Sequence, residues 1–301
     1  MEAPPIQYLL VPIDFSAPSR NALTTAVAMG QRQKASLHLL NVLDPTETDS
    51  RVPMPTLEEQ VRTQTEAIRE LARQISLDHQ IQCAGECRVG SVSAEIVAAA
   101  GLTKADLIVI GTHGSSGSRA FYIGSEAYRV IKTAPCPVMT VPAHQSWTTF
   151  ERILFPVRPV AGALEKYAFA RRIIQQNEAE LTVLALHPPD EVISIHQLED
   201  EVAALIAQFA RDGIRSRTLF QATDLIAETV LQQANELNTD LLIITATLDT
   251  TQQEFYIGPF TQQIVHNAHV PVLSIRPQAS LTGSQRVEWQ YGWRPQPHRN
   301  Q

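Results

Sequence analysis

Residues Gly111-Thr112-His113-Gly114, then nine residues, then Gly124-Ser125, follow directly on the apolar run Leu107-Ile108-Val109-Ile110. This spacing suits a phosphate group. Small residues placed where a buried strand ends and a helix begins let backbone N–H groups approach anionic oxygens without side chains in the way. Gly111 and Gly114 permit a turn with positive φ and a close approach to a ligand, while Gly124-Ser125 opens a helix at Glu126-Ala-Tyr-Arg-Val-Ile. Two anion-binding edges then face one cleft. Ser115-Ser-Gly-Ser-Arg119 reads equally as a cover over phosphates, with Arg119 as a charge partner, or as a solvated surface loop. Glu126 would repel phosphates unless it points away or holds a metal. His113 has no carboxylate near it in sequence to orient the ring as a general base, so it reads as a loop histidine facing solvent.

Such a cleft needs a sheet behind it. Tyr8 to Ile13 is a short apolar strand, and Asp14-Phe15-Ser16 places polar groups at its carboxyl end, with Ser16 as N-cap of a helix from about Pro18. Leu37 to Val42 is the next strand, and Leu57, Val61, Ile68, Leu71 and Ile75 mark a long amphipathic helix ending near Asp78. A third strand from about Ile81 to Arg88, a helix capped at Gly90 to Ser93, the strand Asp106 to Ile110, a helix to about Lys132 and the strand Val138 to Val141 complete the pattern. Alternating short apolar strands and helices predict a doubly wound parallel sheet, with ligands at the carboxyl ends of its strands. Asp14 and the glycine loop both fall at that edge.

The pattern occurs twice. Asp106 to Pro142 aligns without a gap on Asp240 to Arg276, Leu10-Val-Pro-Ile-Asp14 on Leu154-Phe-Pro-Val-Arg158, and Ala35-Ser-Leu-His on Ala179-Glu-Leu-Thr. The chain is therefore divided into residues 1–143, residues 150–277 and a tail, 278–301, whose Trp289, Tyr291 and Trp293 read as docking on a domain surface or a partner, the alternative being a disordered segment. With 301 residues it is long enough for two domains with separate cores. Each half ends in an apolar strand that would aggregate if left at a sheet edge, so Val138 to Val141 is expected to pair with Val272 to Ile275 as an internal pseudo-dimer. A homodimer of chains remains open.

The glycine pattern, Val11-Pro12-Ile13-Asp14 and the terminal Pro-Cys-Pro-Val strand resemble the universal stress proteins in their tandem form, over roughly residues 6 to 142 and 150 to 276. The resemblance implies two Rossmann-like α/β domains and binding of ATP, with magnesium or manganese on the phosphates implied only weakly. It places adenine and ribose near Asp14 and Val42, and phosphates at Gly111, Gly114, Gly124 and Ser125. Pro12, Thr112 and Arg119 complete the candidate set. The second half departs at these positions: Asp14 becomes Arg158, Gly111 becomes Thr245, Gly114 becomes Leu248 and Ser125 becomes Pro259. Its fold should persist with an altered pocket.

With 24 basic and 31 acidic residues the net charge of −7 offers no field for nucleic acid or an anionic membrane surface. No apolar run reaches the length of a membrane span, and a cytoplasmic location is expected. The three cysteines form no paired framework, which agrees with a reducing compartment, and Cys83 and Cys87 lack partners at zinc spacing. No Gly-x-x-x-x-Gly-Lys-Ser/Thr loop is present. The expected function is a nucleotide-dependent regulatory protein in the stress response, read by an unidentified protein partner. A slow ATPase or phosphotransfer enzyme and a nucleotide-free interaction module stand as alternatives.

Overall fold

The computed structural model describes residues 5–45, 56–112, 125–158, 165–189, 192–246, 248–249 and 256–276. The first half runs β1 (Tyr8–Pro12), α1 (Ala17–Gln33), β2 (Ser36–Leu43), α2 (Leu57–His79), β3 (Cys83–Val89), α3 (Val92–Thr103), β4 (Leu107–Gly111), α4 (Ser125–Thr133) and β5 (Val138–Val141). The second runs β6 (Arg152–Val157), α5 (Lys166–Gln176), β7 (Glu180–His187), α6 (Val192–Arg211), β8 (Arg215–Ala222), α7 (Ile226–Glu236), β9 (Leu241–Thr245), a ribbon of β10 (Leu248–Asp249) and β11 (Tyr256–Ile257), α8 (Pro259–Asn267) and β12 (Val272–Ile275). The third strand begins at Cys83 rather than near Ile81, and the ribbon has no counterpart in the sequence-based expectation.

All strands except those of the ribbon join one sheet, in the order β3-β2-β1-β4-β5-β12-β9-β6-β7-β8. Neighbours are parallel save at the centre, where β5 and β12 run antiparallel with Met139 opposite Leu273. The expected pairing of the two last strands is thus present, and each closes an edge that the other half would leave open. Strand alternation sends Leu9 and Val11 to one face and Leu10 to the other. The core accordingly divides by face and not by half. One cluster packs α1, α2, α5 and α6 on the sheet, and the other packs α3, α4, α7 and α8. Both cross the seam: Val141 and Ile275 share the first, Val138 and Val272 the second. The expectation of separate cores gives way because the antiparallel seam makes the two sheets one surface.

The segment joining the halves is packed as well. Phe150 is fully buried, its N–H donates to Asn177 Oδ1 at 3.1 Å, and the Trp147 N–H donates to Thr25 Oγ1 at 3.1 Å. Asp106 Oδ2 accepts the N–H groups of Gln7 and Tyr8 at 2.7 and 2.9 Å, and Asp240 Oδ2 accepts those of Glu151 and Arg152 at 3.1 and 2.9 Å. The duplication therefore preserves the side chain that anchors the start of each half's first strand.

Helix ends follow local chemistry. Ser16 takes an extended conformation and accepts from the Ser19 N–H, Pro18 lies in the first turn of α1, and Lys34 at φ 55° ends it. Thr56 and Glu59 form a reciprocal capping box on α2. Among the described residues no helix is long and apolar enough to cross a membrane.

Candidate functional site

β1 and β4 are parallel neighbours, with Leu9 opposite Leu107. Their following helices leave to opposite faces, since α1 packs in one core cluster and α4 in the other. That divergence opens a crevice at the carboxyl ends of the two strands.

The turn after β1 is firmly set. Asp14 Oδ1 accepts the Ser16 N–H at 3.0 Å and the Ser16 hydroxyl at 2.5 Å, so this exposed carboxylate is fixed in an Asx turn ahead of α1. Phe15 sits at φ 61°, a left-handed conformation costing a bulky residue about 1–3 kcal/mol. Its ring packs on the core, and its carbonyl accepts from Arg20 Nε at 3.1 Å. Beneath the turn, buried Asn41 donates from Nδ2 to the Ile13 carbonyl at 2.7 Å. Asn41 escaped the sequence reading, although an amide within the apolar run Leu39-Leu40-Asn41-Val42 was the available signal.

Pro12 and Val42 are half-buried at the ends of β1 and β2, with Val42 packed on the α3/α4 side. Gly111 ends β4 but does not take a positive φ. A Cβ there would lie 2.8 Å from the carbonyl carbon and oxygen of Pro18, so glycine is needed for the close approach of α1. This corrects the expectation that Gly111 supplies a left-handed turn. Thr112 is buried, and its N–H donates to the Val141 carbonyl at 3.0 Å. Ser125 begins α4. Gly114, Arg119, Gly124 and His113 lie outside the described residues.

Glu126 points away from this edge. Its Oε2 accepts the Ser93 N–H in the first turn of α3 at 2.7 Å, and Oε1 pairs with Arg129 at 2.8 Å. Ser91 makes no side-chain cap there, so Glu126 supplies the acceptor that the start of α3 lacks. The carboxylate that threatened a phosphate ligand is a structural cap.

In the second half, Leu248 of the ribbon pairs with Ile257, at positions aligned on Gly114 and Ile123. Pro259 replaces Ser125 as the first residue of its helix and contributes no N–H. The sheet persists while the donors change. All three cysteines are free, and burial pushes the Cys83 and Cys136 thiols up to about 12, which leaves them little thiolate character.

Residues 6–142 and 149–276 each match the Universal stress protein family. The chain is 30% identical over 140 residues to universal stress protein MJ0531 of Methanocaldococcus jannaschii, covering 44% of this chain and 80% of that protein. It is likewise 30% identical over 143 residues to universal stress protein YxiE of Bacillus subtilis, covering 44% of this chain and 97% of that one. A universal stress protein crystal structure from Archaeoglobus fulgidus superposes with a TM-score of 0.69 at 16% identity, covering 90% of this chain and 98% of the other, and so shares the fold.

Proposed function

The chain belongs to the universal stress protein family through both its halves, and we propose that it binds ATP in the first half alone and uses occupancy of that crevice as a regulatory signal. In this reading residues 1–143 and 150–277 are two domains that share one sheet, followed in sequence by a tail, 278–301. The observation that carries it is the clearing of the first half's crevice. Asp14 is held in its turn at the mouth of the cleft, while Glu126, the acid in the first turn of α4, is committed to α3. The first N–H groups of α4 then face an edge free of that negative charge, which favours phosphate oxygens.

Asp14 and Val42 take the ribose and adenine end, and Gly111, Gly114, Gly124 and Ser125 take the phosphates, with Arg119 as charge partner. Magnesium or manganese would accompany the phosphates. Arg119 is the only lysine or arginine between Gly111 and Ser125 in the sequence, so binding is directed to signalling and not to fast phosphoryl transfer. A partner protein reads the altered surface as a population shift.

Titration calorimetry with ATP on the wild type and on Gly114→Leu tests the assignment. A leucine excludes backbone donors from the phosphates, and each lost hydrogen bond to a charged group costs about 1.5–3 kcal/mol, about ten- to a hundredfold in affinity. Unchanged affinity in a mutant that remains folded by circular dichroism refutes the phosphate assignment.

A further inference from the structure

The carboxyl end of β6 carries two cations that the first half lacks. Arg158 stands where the first half has Asp14, and Lys166 stands where it has the buried Ala22. Lys166 is only 2% exposed; its ammonium donates to the Pro156 carbonyl and lies 4.3 Å from the centroid of the Phe155 ring. The Arg158 guanidinium lies 4.2 Å from the centroid of Phe260, remains partly open to solvent, and makes no hydrogen bond among the described residues. Among the described residues no carboxylate pairs with either cation.

Aromatic faces and one carbonyl do not neutralise two positive charges. Burial pushes the Arg158 guanidinium down to about 10, and burial with the neighbouring Arg158 pushes the Lys166 ammonium well below its ordinary range. The backbone adds to this field. Lys166 is the first residue of α5 and Phe260 lies in the first turn of α8, so both cations sit against positive helix ends. Two buried hydroxyls at the same end of the sheet, Thr245 Oγ1 and Thr261 Oγ1, also lack partners.

This is the second half's counterpart of the first half's crevice: β6 and β9 are parallel neighbours whose helices α5 and α8 leave to opposite faces. We propose that the crevice between β6 and β9 binds a small oxyanion, a phosphate or carboxylate group, with Arg158 in contact and Lys166 supplying charge from behind. The guanidinium fork, held in place over Phe260, is already ordered for two-point contact with such a group. A bound oxyanion favours the protonated ammonium of Lys166, so a dianion such as phosphate, which answers both cations, is held better than a monocarboxylate. The site does not depend on ATP binding in the first half.

Thermal unfolding of the full chain in sodium phosphate, sodium acetate and sodium chloride at matched ionic strength tests it, using wild type, Arg158→Leu, Lys166→Met and Gly114→Leu. Phosphate should raise Tm in the wild type and in Gly114→Leu, acetate should do so less, and Arg158→Leu should lose the response through about a ten- to hundredfold weaker site. Lys166→Met should reduce it. A phosphate response that survives in Arg158→Leu and disappears in Gly114→Leu belongs to the first half and overturns the proposal. Equal responses of the wild type to all three salts overturn it too. Should Arg158→Leu fail to fold, the Arg158 Nε–H resonance of the wild type, assigned through Arg158→Lys, should move on addition of phosphate; a resonance that stays in place is equally contrary.

Discussion

The two halves share an anchor and differ at the mouth of the crevice. Asp106 and Asp240 hold their first strands through the same pair of backbone N–H groups, and β5 and β12 meet as equivalent strands at the seam. Yet Asp14, an exposed acceptor in a tight turn, corresponds to Arg158, a half-buried cation over an aromatic ring. Contacts that position the sheet are kept, while the residue at the mouth of the crevice changes the sign of its charge. A duplicated fold can thus offer two crevices of different chemistry from one scaffold.

The comparison breaks most easily at Gly111. The second half carries Thr245 at this position, whereas the first brings the Pro18 backbone to 2.8 Å of where a Cβ would stand. Gly111→Ala should therefore destabilise the protein by about 1–3 kcal/mol, because backbone must move to admit the methyl group. Urea unfolding measures this. A neutral result would mean that the two halves differ at this position for a reason other than the approach of α1.

Lys166→Met sharpens the difference between Lys166 and Ala22. A lysine whose folded pKa is depressed gives up its proton on folding, so the unfolded chain binds more protons between that pKa and the unfolded value of about 10.4. Stability then rises with pH through that window. Without added oxyanion, the wild type should gain stability as pH rises toward 10, and Lys166→Met should be flatter and more stable below that window by roughly 1 kcal/mol. Denaturant midpoints across pH report both. Parallel wild-type and mutant profiles would show that Lys166 keeps an ordinary ammonium.

The strands were legible in the sequence because buried parallel strands are short apolar runs, and the seam was legible because an apolar last strand cannot be left at an edge. The chemistry of the crevice mouths was less so. A lysine at the start of a helix ordinarily reaches solvent, and nothing local reveals that Lys166 turns under Phe155. Aligning it with Ala22 was the one available sign. Glu126 finds its partner at Ser93, in a helix that only the packed sheet brings alongside. Gly111 was recognised as a glycine that matters, but its reason is the approach of a helix and not the turn of its own backbone. Two-residue strands such as β10 and β11 are too short to leave a periodic signal.

The smallest effect belongs to His113→Ala, which should leave ATP affinity nearly unchanged and any hydrolysis as slow as before. Single-turnover assays with labelled ATP check this. Turnover of about 1–100 per second that vanished with the histidine would instead mark an enzyme.

Native mass spectrometry of the freshly purified full chain, with ATP added in steps, counts the sites most directly. One ATP per chain, lost in Gly114→Leu and retained in Arg158→Leu, is the result expected if the first crevice is a nucleotide site and the second is not. Two equivalent ATP molecules per chain, or one that persists in Gly114→Leu and disappears in Arg158→Leu, would contradict the division of labour between the halves.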